Sequence, residues 1–249
     1  MDITDSLATS RLIAQSHAMA VIANNLANAD TPGFQEQRVQ FASVLTRQPG
    51  ARPPPGGQTL AYTEDRATWR ETTPGPLQHT GNPLDLAITG KGYFTVMTKA
   101  GPRLTRDGRF GLLPDGTVAD AAGNALLDTT GKPIRLGAKD TGISVASDGT
   151  LSAGGRQVAQ VGVVVPANPM QLQAQGGSLF VARTPTKPAT SPGIVQGAVE
   201  GSNVQPVLEL TDMINTSRHF EFMARFIQAE SQRKSSVIDK LLPTPGNLP

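Results

Sequence analysis

Glycine is absent from both ends of this chain and frequent in its middle. Of the 26 glycines in the 249-residue sequence, none falls within residues 1–32 or 202–242, whereas glycine recurs every few residues between 75 and 201. A glycine inside a helix costs about 1 kcal/mol relative to alanine. The two ends can therefore form helices, and the middle has the composition of strands joined by turns.

The N-terminal end carries an apolar stripe at helical spacing. Its members are Ile3, Leu7, Ala14, Ala18, Val21 and Leu26. A stripe of this kind predicts an amphipathic helix. Pro32 disfavours helical geometry in the residue before it, and Gly33 frees the backbone, so the helix is expected to stop near Asp30.

A longer stripe fills the C-terminal end. It consists of Val207, Leu210, Ile214, Phe220, Ala224, Ile227, Ile238 and Leu241. Asn203 is a good capping residue and Pro206 is tolerated in a first turn, so the helix is expected to begin near Asn203. It should stop before Pro243, after about 37 residues and roughly 55 Å.

A helix of that length needs a second helix to cover its apolar stripe, because helices depend on tertiary burial for most of their stability. The N-terminal stripe is the obvious partner. The two stripes together therefore predict a coiled coil that joins the chain ends, and they form the predicted assembly interface.

The middle of the chain alternates apolar runs with turn signals. Strands are expected at residues 84–88, 93–97 and 160–165. Hairpin turns are expected at Asp107-Gly108, Asp115-Gly116 and Asp148-Gly149, since Asp-Gly pairs suit such turns. The predicted fold class is α+β, mainly β: long N- and C-terminal helices paired as a coiled coil, with a small all-β domain between them.

This pattern divides the chain into five segments. Residues 1–33 and 202–242 are the helical polymerisation segments, and residues 75–201 are the central β domain. Residues 34–74 connect the first helix to that domain and include a Pro/Gly-rich loop at 49–57. Residues 243–249 are expected to be a flexible tail.

Candidate catalytic residues are few, and the sequence predicts neither an enzyme nor a cofactor. His17, His79 and His219 are isolated, without the spacing of a helical zinc site. Ser231 and Lys234 match a Ser-x-x-Lys pattern, but the companion motifs of that enzyme class are missing. The sequence has no cysteine, which excludes disulfides and thiolate metal sites.

Charge and hydropathy exclude two further classes of partner. The net charge is +2, and the basic residues form no cluster of the kind that nucleic-acid-binding proteins show. No run approaches the roughly 18 apolar residues of a membrane span. The first residues lack the features of a cleaved signal peptide, which leaves a cytosolic protein or export by a route that keeps the N-terminus intact.

Two segments at the inner ends of the helices are distinctive. The helix-exit segment contains Asn24, Asn25, Leu26, Asn28, Thr31, Gly33 and Phe34. The segment that leads into the C-terminal helix contains Gly197, Glu200, Ser202, Asn203 and Val204. Asparagine side chains compete for backbone groups and favour helix ends, so an elaborate helix stop is one interpretation of the first segment.

These segments also carry a resemblance. The helix-exit segment, residues 80–94, residues 104–110 and residues 196–204 resemble, in order, the signatures of the flagellar basal-body rod family, which also includes hook proteins. Residues 218–221 resemble the helix that follows in that family. Total length and the short stretch between residues 34 and 75 favour the F-type branch; a G-type distal rod subunit or a hook subunit is the alternative.

The resemblance implies a structural subunit of the bacterial flagellum. Such a subunit is exported by the flagellar type III apparatus, assembles through its terminal helices onto the periplasmic rod of the basal body, and transmits torque toward the hook. The implied partners are other rod and hook-type proteins, the export apparatus and copies of the chain itself, without direct membrane insertion. A secreted enzyme acting on the cell wall is a more distant alternative.

Overall fold

The computed structural model describes residues 3–46, 60–137, 140–176 and 178–241; it gives no side-chain positions for residues 3–7, 41–46, 60–67 and 238–241. Two long α-helices and eighteen β-strands lie in the described residues, so the fold is mainly β with helical ends. The predicted loop at 49–57 and the predicted tail at 243–249 lie outside the described residues.

The helices are α1 (Ile3–Ala27) and α2 (Pro206–Leu241), and a short 3-10 helix covers Pro169–Gln171. The strands are β1 (Gln37–Thr46), β2 (Leu60–Arg70), β3 (Leu77–His79), β4 (Leu86–Ile88), β5 (Tyr93–Thr98), β6 (Gly101–Thr105), β7 (Phe110–Leu112), β8 (Val118–Asp120), β9 (Ala125–Leu126), β10 (Ser144–Val145), β11 (Thr150–Ala153), β12 (Arg156–Gln160), β13 (Val163–Pro166), β14 (Leu172–Ala174), β15 (Leu179–Ala182), β16 (Thr186–Pro188), β17 (Ile194–Gln196) and β18 (Ala198–Glu200).

Both helices stand where the glycine-free ends predict them. α1 is followed by turns up to Gly33, close to the predicted stop. α2 begins at Pro206, three residues after Asn203. Proline suits a first helical position because its missing N–H would have no partner within the helix there. At 36 residues, α2 is about 54 Å long. None of the described helices is both long and apolar enough to cross a membrane.

The chain divides into two compact units. The helical unit contains residues 1–26, 37–69 and 206–249, and the β unit contains residues 27–36 and 70–205. The backbone passes between the units four times, after residues 26, 36, 69 and 205. In the helical unit β1 and β2 form a two-stranded sheet, which the sequence analysis treated only as a connecting segment.

The β unit is built from antiparallel sheets. The largest has nine strands, seven of them in the order β14-β15-β6-β5-β9-β8-β7, with β13 pairing both β5 and β16. β10, β11 and β12 form a three-stranded sheet, and two further pairs join β17 to β4 and β18 to β3. The last two pairs bring residues just before α2 against the strands that follow residue 76.

A large cluster of apolar side chains forms most of the core of this unit, and a smaller one contains Tyr93, Leu104, Leu172 and Phe180. Phe94, Val96, Leu126 and Leu151 are all completely buried in the large cluster. The rings of Phe94 and Phe110 meet edge to face with centroids 5.4 Å apart, an arrangement that aromatic pairs prefer. The alternation along β5, with Val96 buried and Met97 exposed, is the period of a strand with one face on the core.

Two of the three predicted hairpin turns are present. Asp115-Gly116 lies between the paired strands β7 and β8, and Asp148-Gly149 lies between β10 and β11. The turn at Asp107-Gly108 is wrong as a hairpin, because β6 pairs with β5 and β15 whereas β7 pairs with β8. Gly108 instead allows a close backbone approach: its carbonyl accepts the Leu86 N–H at 2.9 Å, and a Cβ there would collide with the Leu86 carbonyl.

Candidate functional site

The last turn of α1 is fixed by a buried asparagine. The Asn25 side chain is 1% exposed. Its amide donates to the Gln37 carbonyl at 2.8 Å, and its carbonyl accepts the Gln37 N–H at 2.9 Å. Asn25 thus pairs with the start of β1 through both backbone groups of one residue, much as a neighbouring strand does.

Asn25 also connects the two helices. Its amide donates to Glu209 Oε2 at 3.2 Å. Glu209 is 6% exposed and lies in the first turn of α2, where a negative charge is stabilised by the helix dipole. The inner ends of α1 and α2 are therefore held at the same level within the helical unit.

The residues after α1 form a tight corner inside the β unit. The Thr31 N–H donates to the Asn28 carbonyl at 3.1 Å, and the Thr31 hydroxyl bonds the Asn28 side chain at 3.2 Å. The Gly33 N–H donates to the Glu200 carbonyl at 2.8 Å. Gly33 has a φ of +65°, and a Cβ there would collide with the Arg106–Asp107 backbone, so glycine is required at this corner.

Asn203 ties three segments of the β unit together. Its side-chain carbonyl accepts the Glu36 N–H at 2.7 Å, and its amide donates to the carbonyls of Glu71 at 3.0 Å and Thr73 at 2.9 Å. The Asn203 N–H also donates to the Phe34 carbonyl at 3.3 Å. Capping of α2 by Asn203 is therefore wrong; the side chain instead bonds residues beside two of the four backbone passages, those after residues 36 and 69.

A buried ion pair lies behind this corner. Arg106 Nη1 and Glu200 Oε2 are 2.7 Å apart, with side chains 4% and 3% exposed. Arg106 also donates to the carbonyls of Ile88 at 3.2 Å and Gly90 at 2.8 Å. Glu200 accepts the Gly75 N–H at 3.2 Å. Each charge is both paired and hydrogen-bonded, as a buried ion requires.

Two aromatic rings, those of Tyr93 and Phe180, connect the ion pair to Gln35 and Arg70 through a series of contacts. The Arg106 guanidinium lies 5.4 Å from the centroid of the Tyr93 ring, and Tyr93 meets Phe180 edge to face at 5.7 Å. Arg70 lies 4.9 Å from the Phe180 centroid. The Tyr93 hydroxyl donates to Gln35 Oε1 at 3.1 Å, and burial raises the pKa of Tyr93, which keeps this donor protonated.

Four residues of the site, Arg106, Tyr93, Gln35 and Glu209, are not among those predicted from the sequence. A recognisable signal existed for Arg106, which follows the strand residues Leu104 and Thr105 and belongs to a segment that carries the family resemblance. Its partner Glu200 is 94 residues away, so no local pattern reveals the pair.

The predicted interface residues fall into three groups. Ala14 and Val21 are buried, and Ala18, Leu26, Phe220, Ala224 and Ile227 are half-buried. Val207, Leu210 and Ile214 are exposed by 75%, 46% and 52%. The side chains of Ile3, Leu7, Ile238 and Leu241 lie outside the described residues.

The buried and half-buried residues of α2 include a row with alternating steps of three and four residues. This inner row is Glu209, Met213, Thr216, Phe220, Met223, Ile227, Glu230 and Lys234. α1 has a matching inner row of Ala14, Ala18, Val21 and Asn25. A mean step of about 3.5 residues is the spacing of a coiled-coil seam. Val207, Leu210 and Ile214, which the sequence predicts on the seam, are exposed and form a separate face, called here the outer face of α2.

The three histidines and the Ser-x-x-Lys pair lie on three different elements. His17 is half-buried on α1, and His79 and His219 are exposed. Ser231 is exposed on α2, and Lys234 belongs to its inner row. Among the residues searched, which are those that the structure describes, no group of three or more metal-binding side chains occurs.

Replacing Asn203 with alanine is expected to lower the free energy of unfolding by about 1–3 kcal/mol, because the Glu36 N–H and two carbonyls lose their partner. Urea denaturation of the purified chain measures the change. Gln205→Ala, which truncates an exposed amide two residues away, is the matched control and should shift stability by less than about 0.5 kcal/mol. Equal midpoints for both variants would contradict the assigned role of Asn203.

Three family descriptions match the chain. Residues 7–35 match "Flagella basal body rod protein", residues 87–153 match "Flagellar hook protein FlgE/F/G D1 domain", and residues 195–239 match "Flagellar basal body rod FlgEFG protein C-terminal". The first and third matches cover the helix exit and the approach to α2. The second lies within the β unit.

Curated relatives match over almost the whole chain. The flagellar basal-body rod protein FlgF of Caulobacter vibrioides is 34% identical over 93% of this chain and 95% of its own length. FlgF of Mesorhizobium japonicum is also 34% identical, over 95% of this chain and 98% of its own length. The basal-body rod protein FlgG of Bacillus subtilis is 31% identical over 85% of this chain and 89% of its own length.

Proposed function

Because this chain belongs to the family of flagellar basal-body rod proteins, we propose that it is exported by the flagellar type III apparatus and polymerises through α1 and α2. The chain is an FlgF-like structural subunit of the rod and not an enzyme. Family membership removes the alternative of a secreted enzyme acting on the cell wall. The proposal places the subunit in the periplasmic part of the rod, where it passes torque toward the hook.

The observation that carries the polymerisation proposal is the outer face of α2. Val207, Leu210 and Ile214 lie within the first three turns of the helix and are each about half exposed or more. Contiguous apolar surface on a soluble chain marks an interaction site. We infer that this face contacts other rod or hook-type subunits, or copies of this chain, in the assembled rod.

The inner rows support a coiled coil between α1 and α2. The Asn25–Glu209 hydrogen bond fixes the level at which the helices start to pair. Counting away from this contact in opposite chain directions places Val21 beside Met213, Ala18 beside Thr216 and Ala14 beside Phe220. Each smaller α1 residue then faces a larger α2 residue, as interdigitating helix surfaces require.

An engineered disulfide tests this register. The sequence contains no cysteine, so no native thiol can form a competing bridge. The double variant Ala18→Cys/Thr216→Cys is expected to form an intramolecular disulfide under mild oxidation, because a bridge needs Cα atoms within about 7 Å. Faster migration on a non-reducing gel reports the bridge. Ala20→Cys/Thr216→Cys is the control, since Ala20 is exposed on the other side of α1. Equal bridging in both variants would contradict the register.

Deletion of the gene tests the rod function itself. Basal bodies purified from the deletion strain and viewed by electron microscopy should show a short rod without hook or filament, and the cells should not swim. The point at which assembly stops also separates an FlgF-like position from a distal-rod or hook position. Intact basal bodies in swimming cells would refute a role in the rod.

The N-terminal segment is the proposed uncleaved export signal. It comprises the residues of α1 and the helix exit, which the rod-protein description matches at residues 7–35. Secretion of the full chain into the medium by a strain that lacks a downstream rod component, and its loss when residues 1–33 are removed, would support this assignment. Secretion of the truncated chain at the normal level would overturn it.

A further inference from the structure

α1 carries a second row, on the side away from its inner row. These residues, called here the outer row of α1, are Thr9, Ile13, Ser16, Ala20, Ala23 and Ala27; all are exposed and none is charged. Ile13 is 66% exposed. A helix face that stays in water normally carries charged side chains. The composition of this row therefore fits a covered surface better than a solvated one.

α2 has an exposed apolar flank beside its inner row, distinct from the outer face. This flank contains Leu208, Phe222 and Phe226, exposed by 54%, 67% and 47%. Phe222 and Phe226 are four residues apart and so are neighbours on the helix surface. Two exposed phenylalanines are large anchors for a helix that packs across them.

Ile13 and Phe222 lie at about the same distance along their helices from the contact that joins α1 and α2. Both helices are held at one level by the Asn25–Glu209 contact. Ile13 lies 12 residues before Asn25 and Phe222 lies 13 residues after Glu209, so each is about 18–20 Å along its helix from that contact. Two copies standing side by side at the same height therefore bring Ile13 of one beside Phe222 of the other.

We propose that the outer row of α1, centred on Ile13, packs against the Leu208–Phe222–Phe226 flank of α2 in a second copy of this chain. The inference rests on the proposed polymerisation and names the surfaces that meet. In the proposed rod all copies point the same way, so α1 of one copy runs antiparallel to α2 of the next, as in the proposed coiled coil within one copy.

Shape favours contact between unlike faces over contact between like faces. The alanines and the serine of the outer row leave room for large side chains, whereas the flank of α2 supplies two phenylalanines. Pairing the outer row with its own copy would bring small residues against small residues and bury little apolar area. Because every chain carries both halves of the unlike contact, the arrangement adds copies head to tail and forms rings or helical filaments.

Cysteine cross-linking in assembled rods tests the contact. Cells make the chain as Ile13→Cys, as Phe222→Cys or as the double variant, and basal bodies are oxidised and run on non-reducing gels. The double variant should give a ladder of dimers, trimers and larger species, because each copy then carries both partners. Either single variant should remain monomeric.

The outcomes separate this proposal from the proposed function. Dimers in either single variant would indicate contact between like faces and overturn the proposal. So would the absence of a ladder in rods that contain the double variant at the normal amount, although the chain would still be shown to be a rod subunit. Absence of the chain from purified rods would instead count against the rod function.

A charge pair gives an independent measurement if the cysteine variants do not assemble. Ile13→Lys and Phe222→Glu should each abolish swimming, and the chain carrying both should regain it, since the new charges would meet across copies. Leu12→Lys/Phe222→Glu, with the lysine moved off the outer row, is the control and should not swim. Swimming by either single variant, or none by the double, would overturn the proposal.

Discussion

Replacing Arg106 with methionine is expected to destabilise the β unit by about 3–5 kcal/mol, among the largest effects of any single change in the chain. Methionine preserves much of the side-chain volume but leaves the Glu200 carboxylate, 3% exposed, with the Gly75 N–H as its remaining hydrogen-bond donor in the described structure. An unpaired charge at such a site loses its hydration without compensation. Urea denaturation of the purified chain measures the loss.

Two further variants distinguish the loss of this pair from loss of a side chain. Arg106→Met combined with Glu200→Gln should recover most of the stability, because a neutral amide can keep the bond to Gly75. Arg156→Met removes the exposed pair with Asp140, at 3.4 Å and with Arg156 75% exposed, and should cost no more than about 1 kcal/mol. A similar small loss for Arg106→Met would show that the buried pair is not critical.

Replacing Ile214 with aspartate is expected to abolish swimming while the chain still folds. Ile214 is 52% exposed in the chain, so the substitution creates no cavity in the core. In the proposed rod contact, a charge on the outer face of α2 would be buried without a partner, which costs far more than a single apolar contact provides. Leu210→Asp should behave in the same way.

The measurements are soft-agar motility, the amount of the chain in purified basal bodies, and the urea midpoint of the purified variant. Ser231→Asp is the matched control: the residue is exposed on α2, about 25 Å further along the helix than Ile214 and outside the outer face. It should fold and swim normally. A fully motile Ile214→Asp strain would mean that the outer face does not take part in assembly.

The two helices and the buried side of α1 could be predicted from the sequence, but the buried side of the first three turns of α2 could not. Val207, Leu210 and Ile214 are more apolar than Glu209, Met213 and Thr216, and periodicity alone therefore assigned them to the seam. Glu209, the first residue of the inner row, is buried with a hydrogen-bond partner that Asn25 supplies from 184 residues away. A polar residue is buried readily only when its partner is present, and this partner is invisible to any local pattern.

The same limit explains the other differences. Asn203 has the chemistry of a helix cap, and only the folded β unit shows that its side chain meets the backbone of Glu36, Glu71 and Thr73 instead. The motif residues around Asn25 and Gly33 were recognised as important, but their partners were not. Turn geometry was predictable at Asp115 and Asp148, which lie between strands that pair with each other, and failed at Asp107, because the strands on its two sides pair with other strands.

The four backbone passages between the units have a consequence for limited proteolysis. A domain joined to its neighbour by a single covalent tether is released by one cut in that tether. Here four backbone connections join the helical unit and the β unit, so one cut in any of them leaves the units covalently joined through the other three. Within the β unit, the Asn203 side chain also bonds the backbone of Glu36 and Glu71, which lie beside two of these connections.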